Sequence, residues 1–487
     1  MRAAFFILGA VVWGQSEELI RKSEAAKRFM SEGRFAEAIP IYQELVRAVP
    51  GNPGVLLNLA LAEHMAGRNR ESVPHFQAVL KSEPGNFPAL FSLGAAYLQM
   101  HEPALALDPL RRAVRAEPTN MDARGLLAGA LLATGGCEEA AAQYRELTKL
   151  APEDPRAWFG LGRSYEEMAS QAFERLSRAA PQSPYEAALL GESRLQRRQY
   201  RSAFFFFSQA LEKSTIPGLH AGIAEVYRRT DHADWATQEE EREKALKVDC
   251  TAHRAACQFA AGKFADALAG GSTPESLYWR SKAANELARA AYAELGKLPD
   301  SPQIHVVKAN ILRHQGQPLE AAKEWRAALE LQPGNAEFEE ELAVDLHAGA
   351  DYEHALAIVE KLLAANPGSA QLNWLAGDSL LRMEQAERAI AYLETSVRLD
   401  PKPMPAQASL GLALMNTGKG AQAVPHLEAA LSLDADGSLY YQLARAYQSS
   451  GQADKARQTM AKYQEIQKRS QEQKDELAKE AQIGPPR

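Results

Sequence analysis

The sequence predicts an all-α fold built as a chain of helix hairpins, and three observations predict it. Pro50, Pro84, Pro118 and Pro152 recur at intervals of 34 residues, and Pro333, Pro367 and Pro401 resume the same interval. Each closes an apolar helical pattern, where a residue that cannot continue a helix acts as a stop. Halfway through each unit sits a turn cluster, centred on Gly33, Gly67, Gly135, Gly316, Gly418 and Gly451, and glycine permits the left-handed residue that ends a helix. Within each half-unit the apolar spacing is helical. Leu90, Leu93, Gly94 and Tyr97 fall at i, i+3, i+4 and i+7, as do Trp158, Leu161, Gly162 and Tyr165, and Tyr440, Leu443, Ala444 and Tyr447.

The elements follow in order. Residues 1–14 carry one cation, Arg2, ahead of an apolar run from Ala3 to Trp13. This is the layout of a short secretory signal peptide, cleaved after Gly14. The run falls short of the roughly 20 residues of a membrane span, and no later stretch reaches that length. The expected location is periplasmic or secreted; the alternative is an apolar first turn of a cytosolic helix. Residues 15–154 form a regular N-terminal array. Residues 155–301 form a middle section of shortened, irregular units. The unit opening at Pro155 has no turn glycine from Met168 to Phe173 and meets Pro181 early, and Tyr278 to Pro299 is compressed. Residues 217–270 hold weaker units, with a charged second helix at Glu239-Glu240-Glu241-Arg242-Glu243. Residues 302–466 form a C-terminal array. Residues 467–487 are expected to be a polar helical extension and a disordered tail, Gly484-Pro485-Pro486-Arg487.

Composition excludes several classes. The 487 residues carry 55 Lys and Arg against 62 Asp and Glu, a net charge of -7. No nucleic-acid partner is expected, because phosphate binding needs clustered positive charge. Three cysteines in so long a chain cannot build a disulfide-framework fold.

A small residue recurs in each first helix, for example at Ala60, Gly94, Gly162, Gly191, Gly377 and Gly411. A second small residue precedes a large one by four in the following helix: Ala38 and Tyr42, Ala140 and Tyr144, Ala203 and Phe207, Ala321 and Trp325. Together with Trp158-Phe159-Gly160-Leu161-Gly162-Arg163-Ser164-Tyr165, this resembles the tetratricopeptide repeat, a 34-residue helix-turn-helix with the pattern W-x2-L-G-x2-Y, A-x3-F and P. The resemblance covers about residues 17–466, enough for about 13 units, and implies an α-solenoid wound as a right-handed superhelix.

No catalytic constellation, cofactor motif or metal site stands out. Gly160-Leu161-Gly162 has Tyr165 where a dinucleotide loop needs its third glycine. The phosphate-loop, Gly-x-Ser-x-Gly and His-Glu-x-x-His patterns do not occur. Cys250, His253 and Cys257 fall at i, i+3 and i+7, but a fourth metal ligand is not evident. Seven helical residues would hold Cys250 and Cys257 about 10.5 Å apart, beyond bridging reach, so a disulfide requires Cys250 to lie outside the helix. In Phe204-Phe205-Phe206-Phe207 the expectation is burial of Phe204 and Phe207, against an exposed docking patch of Phe205 and Phe206.

The resemblance implies that first helices line a concave groove that takes protein or peptide partners. Candidate groove residues lie about 100° from the packing stripe: Phe91, Phe159, Arg163, Glu192, Arg228, Trp374, Asp378, Tyr441 and Arg445. The carboxylate clamp of chaperone-binding relatives is not seen; the first unit has Ser23 and Lys27 on its first helix. The implied function is a non-enzymatic, exported scaffold for complex assembly in the cell envelope, associated peripherally with membrane complexes and without a cofactor. The alternative is a regulatory subunit whose groove binds a glycan or small ligand, with Trp374 and Tyr441 as platforms.

Overall fold

The computed structural model describes residues 3–402, 404–434, 436–480 and 482–486, with side chains from Glu17 onward except Met404 and residues 472–480. Met1 and Arg2 of the expected signal segment, and its side chains, lie outside that range. The chain forms two compact units, Met1–Gln171 with Arg280–Leu298, and Ala172–Trp279 with Pro299–Arg487.

The first unit opens with α1 (Ala3–Ser31), α2 (Phe35–Ala48), α3 (Pro53–Met65), α4 (Asn69–Ser82), α5 (Phe87–Gln99), α6 (Pro103–Ala116), α7 (Met121–Ala133) and α8 (Cys137–Leu150). Each odd helix pairs with the even helix that follows, and each hairpin packs on the next. A long helix, α9 (Pro155–Ala179), comes next. The second unit contains α10 (Pro184–Gln196), α11 (Tyr200–Lys213), α12 (Leu219–Arg229), α13 (Ala233–Ala245), α14 (Arg254–Ala260) and α15 (Phe264–Ala267); the long α16 (Pro274–Leu295) follows, and from Arg280 onward it belongs to the first unit. The second unit continues with α17 (Pro302–His314), α18 (Pro318–Leu331), α19 (Ala336–Ala348), α20 (Tyr352–Ala365), α21 (Ala370–Arg382), α22 (Ala386–Leu399), α23 (Met404–Asn416) and α24 (Gly420–Ala430). A 3-10 turn, Leu431–Leu433, precedes α25 (Ser438–Ser449) and α26 (Ala453–Glu480). The architecture is an all-α solenoid of helix hairpins, and no strand occurs among the described residues.

The turns keep a strict backbone register. Gly33, Gly67, Gly135, Gly316, Gly418 and Gly451 all have φ between 73° and 78°. Where glycine is missing the backbone still goes left-handed, at His101, Arg198, Asp231, Ala350 and Glu384. The hairpin geometry therefore overrides a side-chain preference of about 1 kcal/mol. The opposite junction carries a cap that the proline spacing does not reveal. Asn52, Asn86, Asn120 and Asn335 accept hydrogen bonds from the backbone N–H groups of Val55, Ala89, Ala123 and Phe338, each satisfying one orphan donor at a helix start.

The small residues let helices touch. A Cβ on Gly94 would meet Leu110 Cγ at 2.5 Å, on Gly377 Leu393 Cγ at 2.5 Å, and on Gly411 Leu427 Cδ2 at 2.7 Å. In each case the large partner lies 16 residues downstream, on the second helix of the same hairpin. Phe207 follows the rule against Gly191 and also faces Gly222 of the next hairpin, so its ring is a wedge between two glycines. Within Phe204–Phe207, Phe207 is buried and the other three are half-buried. Phe204 leans on Tyr227, and Phe205 meets Phe206 edge-on.

Gly162 breaks that spacing and explains the missing turn in α9. Sixteen residues on stands Arg178, yet the side chain over Gly162 is Tyr292, 2.3 Å from an added Cβ. Ser281 Oγ also donates to the Ala169 carbonyl at 3.1 Å. The C-terminal half of α16 thus serves as second helix to the N-terminal half of α9. The signal was present as Ala288-x3-Tyr292, the same small-then-large pair as Ala38 and Tyr42 or Ala140 and Tyr144 in other second helices. Among the described residues, twelve sequential hairpins and this split one make thirteen.

In the middle section the charged helix α13 is used structurally. Glu239 is buried and pairs with His220 at 2.5 Å and Arg242 at 2.6 Å. The Glu243 carboxylate accepts from the backbone N–H groups of Gly218 and Ala221 at the start of α12. Cys250 lies before α14, and Cys250 and Cys257 form a disulfide with a Cα separation of 5.6 Å. The condition that a bond needs Cys250 outside the helix is met.

Candidate protein-binding surface

Contacts that skip one helix join α3 to α5, α5 to α7, α10 to α12, α19 to α21, α21 to α23 and α23 to α25. These are all first helices, so first helices form the inner side of each stack. The candidate residues of α5, α10, α12, α21 and α25 lie on them, and Phe159 and Arg163 lie on α9.

In the first unit Phe91 is half-buried and stacks on Phe87 with ring centres 5.8 Å apart. Phe159 is half-buried and Arg163, one turn later, is exposed with Glu166 at 3.9 Å. In the second unit Glu192 is half-buried and hydrogen-bonds Tyr278. Arg228 is exposed but clamped by Glu225 and Glu240. Tyr441 is 40% exposed, lies 5.5 Å from Tyr463, and carries the Arg445 guanidinium 5.9 Å from its ring centre.

Asp378 is not an open groove residue. It is 4% exposed. Its carboxylate accepts from Ser409 Oγ at 2.7 Å and Arg382 Nε at 3.3 Å, and meets His347 Nε2 at 2.9 Å. Burial alone would raise its pKa; the bonds from His347 and Ser409 and the charge of Arg382 outweigh burial and hold it below the usual carboxylate value. The next first helix on the other side repeats the device. Asp345, fully buried, binds Arg313 Nε at 2.7 Å and Trp325 Nε1 at 2.8 Å. Helical spacing places these acids at the groove edge, whereas side chains from adjacent repeats cover them. They act as rungs between successive first helices.

Beside this ladder stands Trp374. Its ring is half-buried and lies 5.9 Å from His347. Its Nε1–H is buried with no hydrogen-bond partner among the described residues, an arrangement that costs about 1–3 kcal/mol. Tyr185, Ile216, Val248, His253 and Trp279 line a cleft of about 270 Å³ that includes none of the nine candidate residues. No group of three or more His, Cys, Asp or Glu among the described residues could hold a metal ion. No described helix is long and apolar enough to cross a membrane.

Comparison with known proteins agrees with this architecture. Tetratricopeptide-repeat families match residues 29–97 and 98–164, then 306–370, 340–402 and 374–436, then 437–469. No curated protein matches the chain. Among solved structures, MamA from Desulfovibrio magneticus is 21% identical over 36% of this chain and 98% of its own, with a TM-score of 0.32. TTC0263 from Thermus thermophilus is 21% identical over 37% of this chain and 98% of its own, at 0.29. YrrB, described as a repeat protein with an unusual peptide-binding site, is 24% identical over 34% of this chain and 87% of its own, at 0.30. The fold is that of a protein-interaction scaffold, and the matched segments span well over half of the sequence on either side of residues 165–305. The chain belongs to the tetratricopeptide-repeat family.

Proposed function

We propose that this chain is an exported, non-catalytic scaffold that docks one or more proteins of the cell envelope along its first-helix surfaces. The observation that carries this reading is the presence of half-buried or exposed aromatic and arginine side chains on first helices of each unit, Phe159 and Arg163 on α9, and Trp374, Tyr441 and Arg445 on α21 and α25, where Trp374 stands beside an acid already neutralised by its neighbours. Aromatic and arginine side chains are frequent binding anchors. A stack whose side chains are fixed by inter-repeat rungs lowers the ordering cost of association. Export rests on the Arg2 and Ala3–Trp13 pattern. It is supported by the Cys250–Cys257 disulfide, a bond that persists in oxidising compartments.

Affinity capture from intact envelopes with the mature chain, beside a Trp374→Ala, Arg445→Ala double variant, tests the proposal. A stoichiometric protein partner held by the parent and lost by the folded variant is the expected result. Saturable glycan binding with no protein partner would replace the scaffold with a ligand-binding subunit. A mature N-terminus at Gln15 is expected by mass spectrometry of the exported protein.

A further inference from the structure

In the second unit the chain's own C-terminal residues lie against α12. The Tyr227 hydroxyl donates to the Gly484 carbonyl at 2.7 Å. Ile483 packs against the cluster that contains Phe204, Tyr227 and Trp235. Tyr200, Thr230 and His232 line the adjoining groove with Gln482 and Ile483. The aromatic wall is continuous: Tyr227 lies 5.7 Å from Phe204 and 5.5 Å from Trp235, which stacks on His232 at 4.3 Å. The expectation of a disordered tail therefore fails at Gly484, because an apolar residue and a backbone acceptor find partners on the array.

The repeat register shows why the contact forms there. Tyr97, Tyr165 and Tyr447 hold the same place in their first helices as Tyr227. Each pairs its hydroxyl with the second helix of the preceding hairpin, through Gln77, Arg145 and Glu428. The corresponding residue before Tyr227 is Phe207, which has no polar group. Tyr227 is 1% exposed, and a buried hydroxyl needs a partner. The tail carbonyl supplies what the repeat does not. Pro485 and Pro486 restrict the backbone before binding, which lowers the ordering cost.

We propose that Tyr200, Phe204, Tyr227, His232 and Trp235 form a binding site for an extended peptide with an aliphatic residue followed by Gly-Pro-Pro, and that residues 482–486 occupy it in cis as a tethered competitor. A protein partner presenting such a segment displaces the tail. The site is separate from the anchors Trp374, Tyr441 and Arg445 and does not depend on export. A tail held on the same chain competes at an effective concentration that a free peptide in the micromolar range cannot match.

The test is fluorescence anisotropy with a labelled peptide of residues 481–487, titrated with the full chain and with full-length Ile483→Asp. Ile483→Asp changes only the tail and opens the site, so it should bind the peptide at least about tenfold more tightly than the parent. Adding Tyr227→Phe should reverse most of that gain with the helical content unchanged by circular dichroism. Adding Trp374→Ala and Arg445→Ala should leave peptide binding as it was, which separates this site from the scaffold surface. Equal affinity in parent and Ile483→Asp, or no saturable binding to Ile483→Asp, would overturn the proposal. So would a concentration-dependent dimer of the parent that Ile483→Asp converts to monomer, since the tail would then belong to a second copy.

Discussion

Replacing Phe207 by alanine removes the wedge between α10 and α12. The ring is 1% exposed, and Phe→Ala changes in cores cost about 3–5 kcal/mol, more where the site cannot collapse. The neighbours here are Gly191 and Gly222, which have no side chain to move inward, so the upper part of that range is expected. A second substitution makes the prediction sharper. A Cβ on Gly191 would sit 2.6 Å from Phe207 Cδ1, so Gly191→Ala in the parent incurs an overpacking cost of about 1–3 kcal/mol. The gain of about 1 kcal/mol in helix propensity offsets only part of it. In the Phe207→Ala chain the same methyl enters a void. Burial of about 0.8 kcal/mol then adds to the propensity gain, and Gly191→Ala stabilises by roughly 2 kcal/mol. The sign of the effect should reverse between the two backgrounds. Repeat arrays need not unfold in one step, so the readout is native-state hydrogen exchange of α10 and α12 amides alongside urea denaturation. An effect of the same sign and size in both backgrounds would refute the close approach of these helices.

Asp378→Ala should destabilise the C-terminal hairpins by about 3–5 kcal/mol, because it strands the polar groups of His347 and Ser409. The folded carboxyl lies below its unfolded value, so its contribution is present above about pH 4 and is lost as pH falls through the folded pKa. Denaturation midpoints of the parent should fall more steeply with acid than those of Asp378→Ala; parallel curves would remove the carboxylate from the ladder. Thiol titration checks the cysteines. Cys137 is buried and burial pushes its thiol up to about 12, while Cys250 and Cys257 are bonded to each other. The native chain should show no reactive thiol, the unfolded chain one, and the unfolded, reduced chain three. Three thiols without reductant would contradict the disulfide.

Much of the hairpin register was legible because proline and glycine act through backbone sterics, which need no knowledge of neighbours. Gly94, Gly377 and Gly411 were legible for the same reason: a helix that must touch another cannot carry a side chain there. Contacts between distant segments were not. Nothing in the local pattern of α9 points across more than a hundred residues to Tyr292, although Ala288-x3-Tyr292 carries the second-helix pattern. Asp378 and Trp374 illustrate the limit at the candidate surface. A helical wheel gives the side on which a residue lies, but not that His347 and Ser409 arrive from adjacent repeats to cover the acid. The tail was misread because its composition resembles a flexible end, whereas the unpaired hydroxyl of Tyr227 that recruits it arises from a phenylalanine on another helix.

The split hairpin has a consequence for synthesis. A nascent chain that has left the ribosome as far as Ala179, the end of α9, still lacks Tyr292, so the glycine face of α9 stays open to water until more than a hundred further residues have been translated. Closure comes late and over a long chain separation, conditions that slow folding and leave apolar surface available for aggregation. A chaperone that shields emerging polypeptide would find its longest-lived client surface at that helix.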